Sequence, residues 1–77
     1  MKIEIQYCAA WNYTPQAVSL TQKVLDTYLQ KISNLTLVPS SGGCFEVSLD
    51  GDLAYSKLQT GEFPNENSIV DMIGERL

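Results

Sequence analysis

The residues best suited to chemistry in this sequence are two cysteines, Cys8 and Cys44, in a chain that has no histidine. Without histidine, Cys–His nucleophilic catalysis and His-ligated metal centres both drop out. Two cysteines are also too few for a Cys-only zinc site or a disulfide scaffold. What remains is thiol redox chemistry, in which a thiolate attacks a disulfide or a peroxide. The usual local motif is Cys-x-x-Cys at the start of a helix; here the stretch reads Cys8-Ala9-Ala10-Trp11. An indole stands where the second thiol is expected.

The surrounding pattern positions Cys8 for such a role. Ile3, Ile5 and Tyr7 alternate with Lys2, Glu4 and Gln6, which predicts a half-buried strand ending at the cysteine. Thr14-Pro15 then predicts a helix start, with Thr14 as cap and Pro15 at the first helical position. Ala17, Leu20, Thr21, Val24, Leu25, Tyr28, Leu29 and Ile32 continue it as an apolar stripe, ended by Ser33-Asn34. Leu35 to Val38 reads as a second strand, parallel to the first through a right-handed crossover. Cys44 to Leu49 alternates as a third strand. Asp50-Gly51 is a two-residue hairpin turn, and Asp52 to Lys57 returns as a fourth strand. Asn65 caps a last helix carrying Ile69, Val70, Met72, Ile73 and Leu77. Strands with one apolar face predict a sheet covered on one side only, so both helices share that side. The expected fold is a two-layer α/β sandwich, β-α-β-β-β-α, forming one domain over residues 1–77.

Composition narrows the partners. The 77 residues are 44% hydrophobic, ordinary for a small globular domain, and carry a net charge of −4. Lys2, Lys23, Lys31, Lys57 and Arg76 are scattered, so nucleic acid and anionic membranes are not expected partners. The start of the chain lacks the apolar run of a signal peptide, and no run approaches a membrane span. A reducing, cytoplasmic home is the expectation, with no metal or cofactor. Glu46, Asp50, Asp52, Glu62, Glu66, Asp71 and Glu75 form no acid–base dyad and read as structural or solvated.

An ordered set of short pieces resembles the selenoprotein W-like (SelT/SelW/SelH, or Rdx) proteins. These are Tyr7-Cys8, Ser40-Ser41-Gly42-Gly43-Cys44-Phe45-Glu46-Val47, Asp50-Gly51, Tyr55-Ser56-Lys57 and Gly61-Glu62-Phe63-Pro64. The resemblance implies a thioredoxin-like fold with sheet order 2-1-3-4, the first two strands parallel and the hairpin antiparallel. It also implies thiol redox chemistry, with glutathione or a thiol-containing protein as partner. Cys8 matches the first position of that family's Cys-x-x-Cys or Cys-x-x-selenocysteine motif, and Trp11 occupies the second. A dithiol cycle within the motif is therefore impossible.

Two functional readings stay open. In one, Cys8 is an exposed thiol working alone through mixed disulfides, although no histidine, lysine or arginine adjoins it in sequence to favour the thiolate. Cys44 is then a candidate resolving thiol, against the plainer reading of a small strand residue. In the other, the chain keeps the fold as a non-catalytic binding module. Trp11, Tyr13 and Phe63 would form its partner surface, unless Trp11 simply fills the loop.

Overall fold

The computed structural model describes all 77 residues. Strand β1 spans Lys2–Cys8, helix α1 Thr14–Tyr28, strand β2 Asn34–Ser40, β3 Phe45–Leu49 and β4 Asp52–Ser56. A short helix α2 follows at Lys57–Thr60 and helix α3 closes the chain at Glu66–Arg76. The sheet order is β2-β1-β3-β4, with β1–β2 parallel and the β1–β3 and β3–β4 pairs antiparallel. This is the mixed four-stranded arrangement that the resemblance implied.

The alternation in β1 and β3 decides where the core lies. Ile3, Ile5 and Tyr7 pack with Phe45, Val47 and Leu49 under Ala17, Leu20 and Val24 of α1 and Ile69 and Ile73 of α3. Each large aliphatic side chain buried there contributes about 1.5–3 kcal/mol relative to exposure. The core is thus one layer between the sheet and the two longer helices. No helix is long and apolar enough to cross a membrane.

Local signals set the ends of the elements. Asp50 and Gly51 take φ of 49° and 87°, the positive values of a type I′ turn. Asp50 ties that turn to β1: Lys2 N–H donates to its Oδ1 at 2.8 Å and its own N–H donates to the Lys2 carbonyl at 2.8 Å. Asn65 caps α3 by accepting from Ser68 N–H at 3.1 Å, as its type suggested. Thr14 does not cap α1; it is the first helical residue, Tyr13 holds the cap position, and no side-chain cap bond forms. The helix also stops sooner than the apolar stripe, because Leu29 turns to φ 50° and starts a single 3-10 turn. That turn points Leu29 outward instead of into the core. At the other end of the hairpin, β4 stops at Ser56, whose side chain caps α2 by accepting from Gln59 N–H.

Candidate functional site

The site expected from the sequence lies at the carboxyl end of β1, and its backbone is closed on itself. Cys8 N–H donates to the Cys44 carbonyl at 2.8 Å, and the Cys8 carbonyl accepts from Tyr13 N–H at 3.0 Å. Between them, Ala9 N–H donates to the Ser40 carbonyl at 2.9 Å and Asn12 N–H to the Ala9 carbonyl at 3.0 Å. Asn12 permits the tight return by adopting φ 58°, a left-handed conformation that asparagine tolerates better than most residues. Residues 9–12 therefore form a pinned turn across the ends of β1, β2 and the segment before β3.

This geometry corrects the expectation of an exposed thiol. Cys8 is fully buried (0% exposed), because it is locked into the end of the ladder and the turn folds back over the strand end. Its sulfur has no open approach for attack on a bulky disulfide. Cys44 is also buried. It stands directly opposite Cys8, one rung beyond the Tyr7–Phe45 pair of the β1–β3 register. Neither cysteine belongs to the hydrophobic core cluster.

What faces solvent is Trp11, 63% exposed. Its ring leans on Gly43: a Cβ built on that glycine would lie 2.6 Å from Trp11 Cζ3. The indole packs against Gly43 and still presents most of its surface outward. From Trp11 a row of edge-to-face rings runs to Tyr13 (centroids 6.2 Å apart), from Tyr13 to Phe63 (4.6 Å) and from Phe63 to Phe45 in the core (5.4 Å). The structure thus brings Trp11, Tyr13 and Phe63 onto one rim.

A cation joins them that the sequence did not single out. Lys57 Nζ lies 5.2 Å from the ring centroids of both Tyr13 and Phe63, within reach of a cation–π attraction. No carboxylate pairs with it; the one ion pair in the chain joins Arg76 to Asp52. Its backbone is fixed by Glu46, whose Oε2 accepts from Lys57 N–H at 2.9 Å and Phe45 N–H at 3.2 Å. Glu46 Oε1 accepts from the Ser56 hydroxyl. Glu46 is structural, as its isolation in sequence suggested, but its particular task is to seat the lysine. Tyr13 and Phe63 were expected on one surface, but nothing in the sequence placed Lys57 between them.

No three His, Cys, Asp or Glu side chains converge as metal ligands. A shallow polar depression of about 390 Å³ lies at the opposite end of β1, beside Lys2, Glu4, Thr36 and Ser48. Beside the aromatic rim there is only a crevice of about 40 Å³, between Phe63, Pro64 and Gln16. The site end of the molecule is a surface, not a cavity.

Comparison with known proteins agrees with this frame. The profile of the Rdx family matches residues 2–75. The chain belongs to the Rdx family. A selenoprotein W-related protein from Vibrio cholerae superposes on this Rdx chain with a TM-score of 0.91 at 30% identity, covering 96% of this chain and 92% of that one. A Bordetella parapertussis protein superposes with a TM-score of 0.94 at 26% identity, over 99% and 96% of the two chains. Migration and invasion enhancer 1 from Bos taurus is 28% identical over 75 residues, covering 95% of this chain and 62% of that protein. A SelT-like protein from Arabidopsis thaliana is 52% identical over 33 residues, 43% of this chain and 16% of that protein. The Rdx chain spans about three fifths of the length of the Bos taurus relative.

Proposed function

We propose that this chain is a partner-contact member of a thiol-redox family, binding a protein through the rim formed by Trp11, Tyr13, Phe63 and Lys57. One observation carries the reading: at the motif, the Trp11 indole is exposed while the Cys8 thiol is buried. Exposed aromatic residues are the usual anchors of protein contacts. The unpaired Lys57 beside them favours a partner segment that sets a carboxylate next to an apolar side chain. A reducing cytoplasmic setting suits two thiols held free.

A second reading is monothiol exchange through Cys8, with glutathione releasing the mixed disulfide. Cys8's position at the family motif favours it. That route requires the 9–12 turn to break its backbone bonds before sulfur can meet sulfur, which slows any exchange relative to an open thiol.

The anionic aromatic dye anilinonaphthalene sulfonate is a direct probe of the rim, read by its fluorescence. Trp11→Ala and Lys57→Gln are expected to weaken its binding several-fold, and Cys8→Ser to leave it unchanged. Equal binding by the wild type and Trp11→Ala would remove the contact surface from the account.

A further inference from the structure

Cys8 and Cys44 are the only cysteines in the chain, and the fold sets them across one rung. The β1–β3 register pairs Gln6 with Glu46 and Tyr7 with Phe45, so the next rung is Cys8 with Cys44. That rung is made on one side, by the 2.8 Å bond from Cys8 N–H to the Cys44 carbonyl. Directly opposed residues of an antiparallel pair project from the same face. By the period of β1, this is the face of Gln6 and Glu46, away from the helices. The two thiols share that face, and both are shielded from solvent.

We propose that Cys8 and Cys44 form a cross-strand redox pair, a site at which a hydroperoxide converts two thiols into one disulfide. Opposed residues of a hydrogen-bonded rung such as this one have Cα atoms about 5.5 Å apart. That lies inside the range of about 4.4–6.8 Å that disulfides span. In such a rung the Cβ atoms sit toward the wide end of the cross-strand range of about 4.5–5.5 Å, wider than the relaxed disulfide mean of about 3.8 Å. Closing the bond must draw the strand ends together, and a disulfide formed under such strain is readily reduced again. The pair therefore suits a reversible mark better than a permanent brace.

The chemistry balances with hydrogen peroxide as oxidant. The thiolate of one cysteine attacks a peroxide oxygen; an S–O bond forms, the O–O bond breaks, and the departing hydroxide takes a proton to become water. The second sulfur then attacks the sulfenic sulfur, the S–S bond forms, the S–O bond breaks, and a second water leaves with the remaining thiol proton. Two thiols lose two electrons and peroxide gains them. Burial selects a small oxidant over a bulky disulfide, and the neighbouring thiol intercepts the sulfenic acid before further oxidation. The event is also felt at the surface. Gly43, on which Trp11 rests, immediately precedes Cys44. Drawing Cys44 toward Cys8 must move the support of the indole.

The test treats the full chain with hydrogen peroxide, then denatures it in N-ethylmaleimide for intact-mass and non-reducing peptide analysis. The expected product is a monomer lighter by two hydrogens, with no maleimide adduct and one cross-linked peptide pair containing Cys8 and Cys44. Dithiothreitol should reverse it, and Trp11 emission should shift with the bond. Cys44→Ala and Cys8→Ala should each give an oxidised or maleimide-labelled single cysteine and no intrachain cross-link. Wild-type protein that keeps two maleimide adducts would overturn the proposal. So would one that carries sulfinic acid on one cysteine with the other free, or forms only interchain cross-links. The inference is independent of the contact reading: a cross-link with no dye binding at the rim would sink that reading and leave this one standing.

Discussion

The ring of Trp11 occupies the place where a side chain at residue 43 would begin. A Cβ on Gly43 would meet Trp11 Cζ3 at 2.6 Å, Cε3 at 3.1 Å and Cη2 at 3.2 Å. The turn after β1 is thereby seated on the turn before β3, and each turn adjoins one of the two cysteines. An indole in the second motif position is not idle: it covers one glycine and exposes the rest of itself as the most prominent apolar group of the site end.

Gly43→Ala should cost more than Gly42→Ala, although both glycines hold positive φ, 76° and 79°. The left-handed backbone alone costs a non-glycine residue roughly 1–2 kcal/mol, and that is the expected loss at Gly42, where nothing lies within 4 Å of an added Cβ. At Gly43 the collision with the indole adds to it. Urea denaturation measures both, and Trp11→Ala in the Gly43→Ala background should recover the difference. Equal losses at the two positions would show that the indole does not rest there.

Much of the fold was legible because its signals are local. Ile3, Ile5 and Tyr7 announced their strand by period, Asp50-Gly51 its turn and Asn65 its cap, and each does what its type allows. Leu29 was misread for a physical reason: helical spacing continues through it, but the backbone turns to positive φ there and exposes the side chain. At the site, sequence placed Cys8 at the strand end but could not show that the next four residues fold back over it. That burial depends on backbone bonds to Ser40 and Cys44, distant in sequence. Lys57 escaped notice because its meaning depends on Tyr13 and Phe63 converging from two other segments.

Glu46→Ala is expected to destabilise the chain by about 1–3 kcal/mol, because it leaves the Ser56 hydroxyl and the Lys57 and Phe45 N–H groups short of a partly buried acceptor. The same variant should weaken dye binding at the rim by releasing Lys57. Glu46→Gln keeps one acceptor oxygen and should lose less on both counts. Denaturation and dye titration on the same samples check this.

Gly74→Ala should destabilise the protein even though alanine is the better helix former by about 1 kcal/mol. A Cβ at residue 74 would lie 2.5 Å from the Tyr28 hydroxyl oxygen, which donates to the Val70 carbonyl and joins α1 to α3. Tyr28→Phe removes the obstructing oxygen along with that bond. In the Tyr28→Phe background, Gly74→Ala should become neutral or stabilising, a coupling that a double-mutant cycle in urea reads directly.

Trp11→Cys should place a thiol at the exposed motif position and give a Cys-x-x-Cys sequence. The introduced thiol is expected to react rapidly with thiol reagents and, on mild oxidation, to close a disulfide with Cys8. Peptide mapping under non-reducing conditions identifies the pair. A variant whose new thiol reacts yet never links to Cys8 would show that the turn cannot bring the two sulfurs together.

The most direct measurement is the rate at which the native thiols react with an aromatic disulfide reagent, followed by intact mass and compared with the urea-unfolded chain. The expected result is no labelling of Cys8 or Cys44 on the time scale of a free thiol, and rapid labelling of both once the chain is unfolded. Immediate labelling of Cys8 in the folded protein would contradict the account, because it would mean that the sulfur, and not the indole beside it, is the group this loop presents.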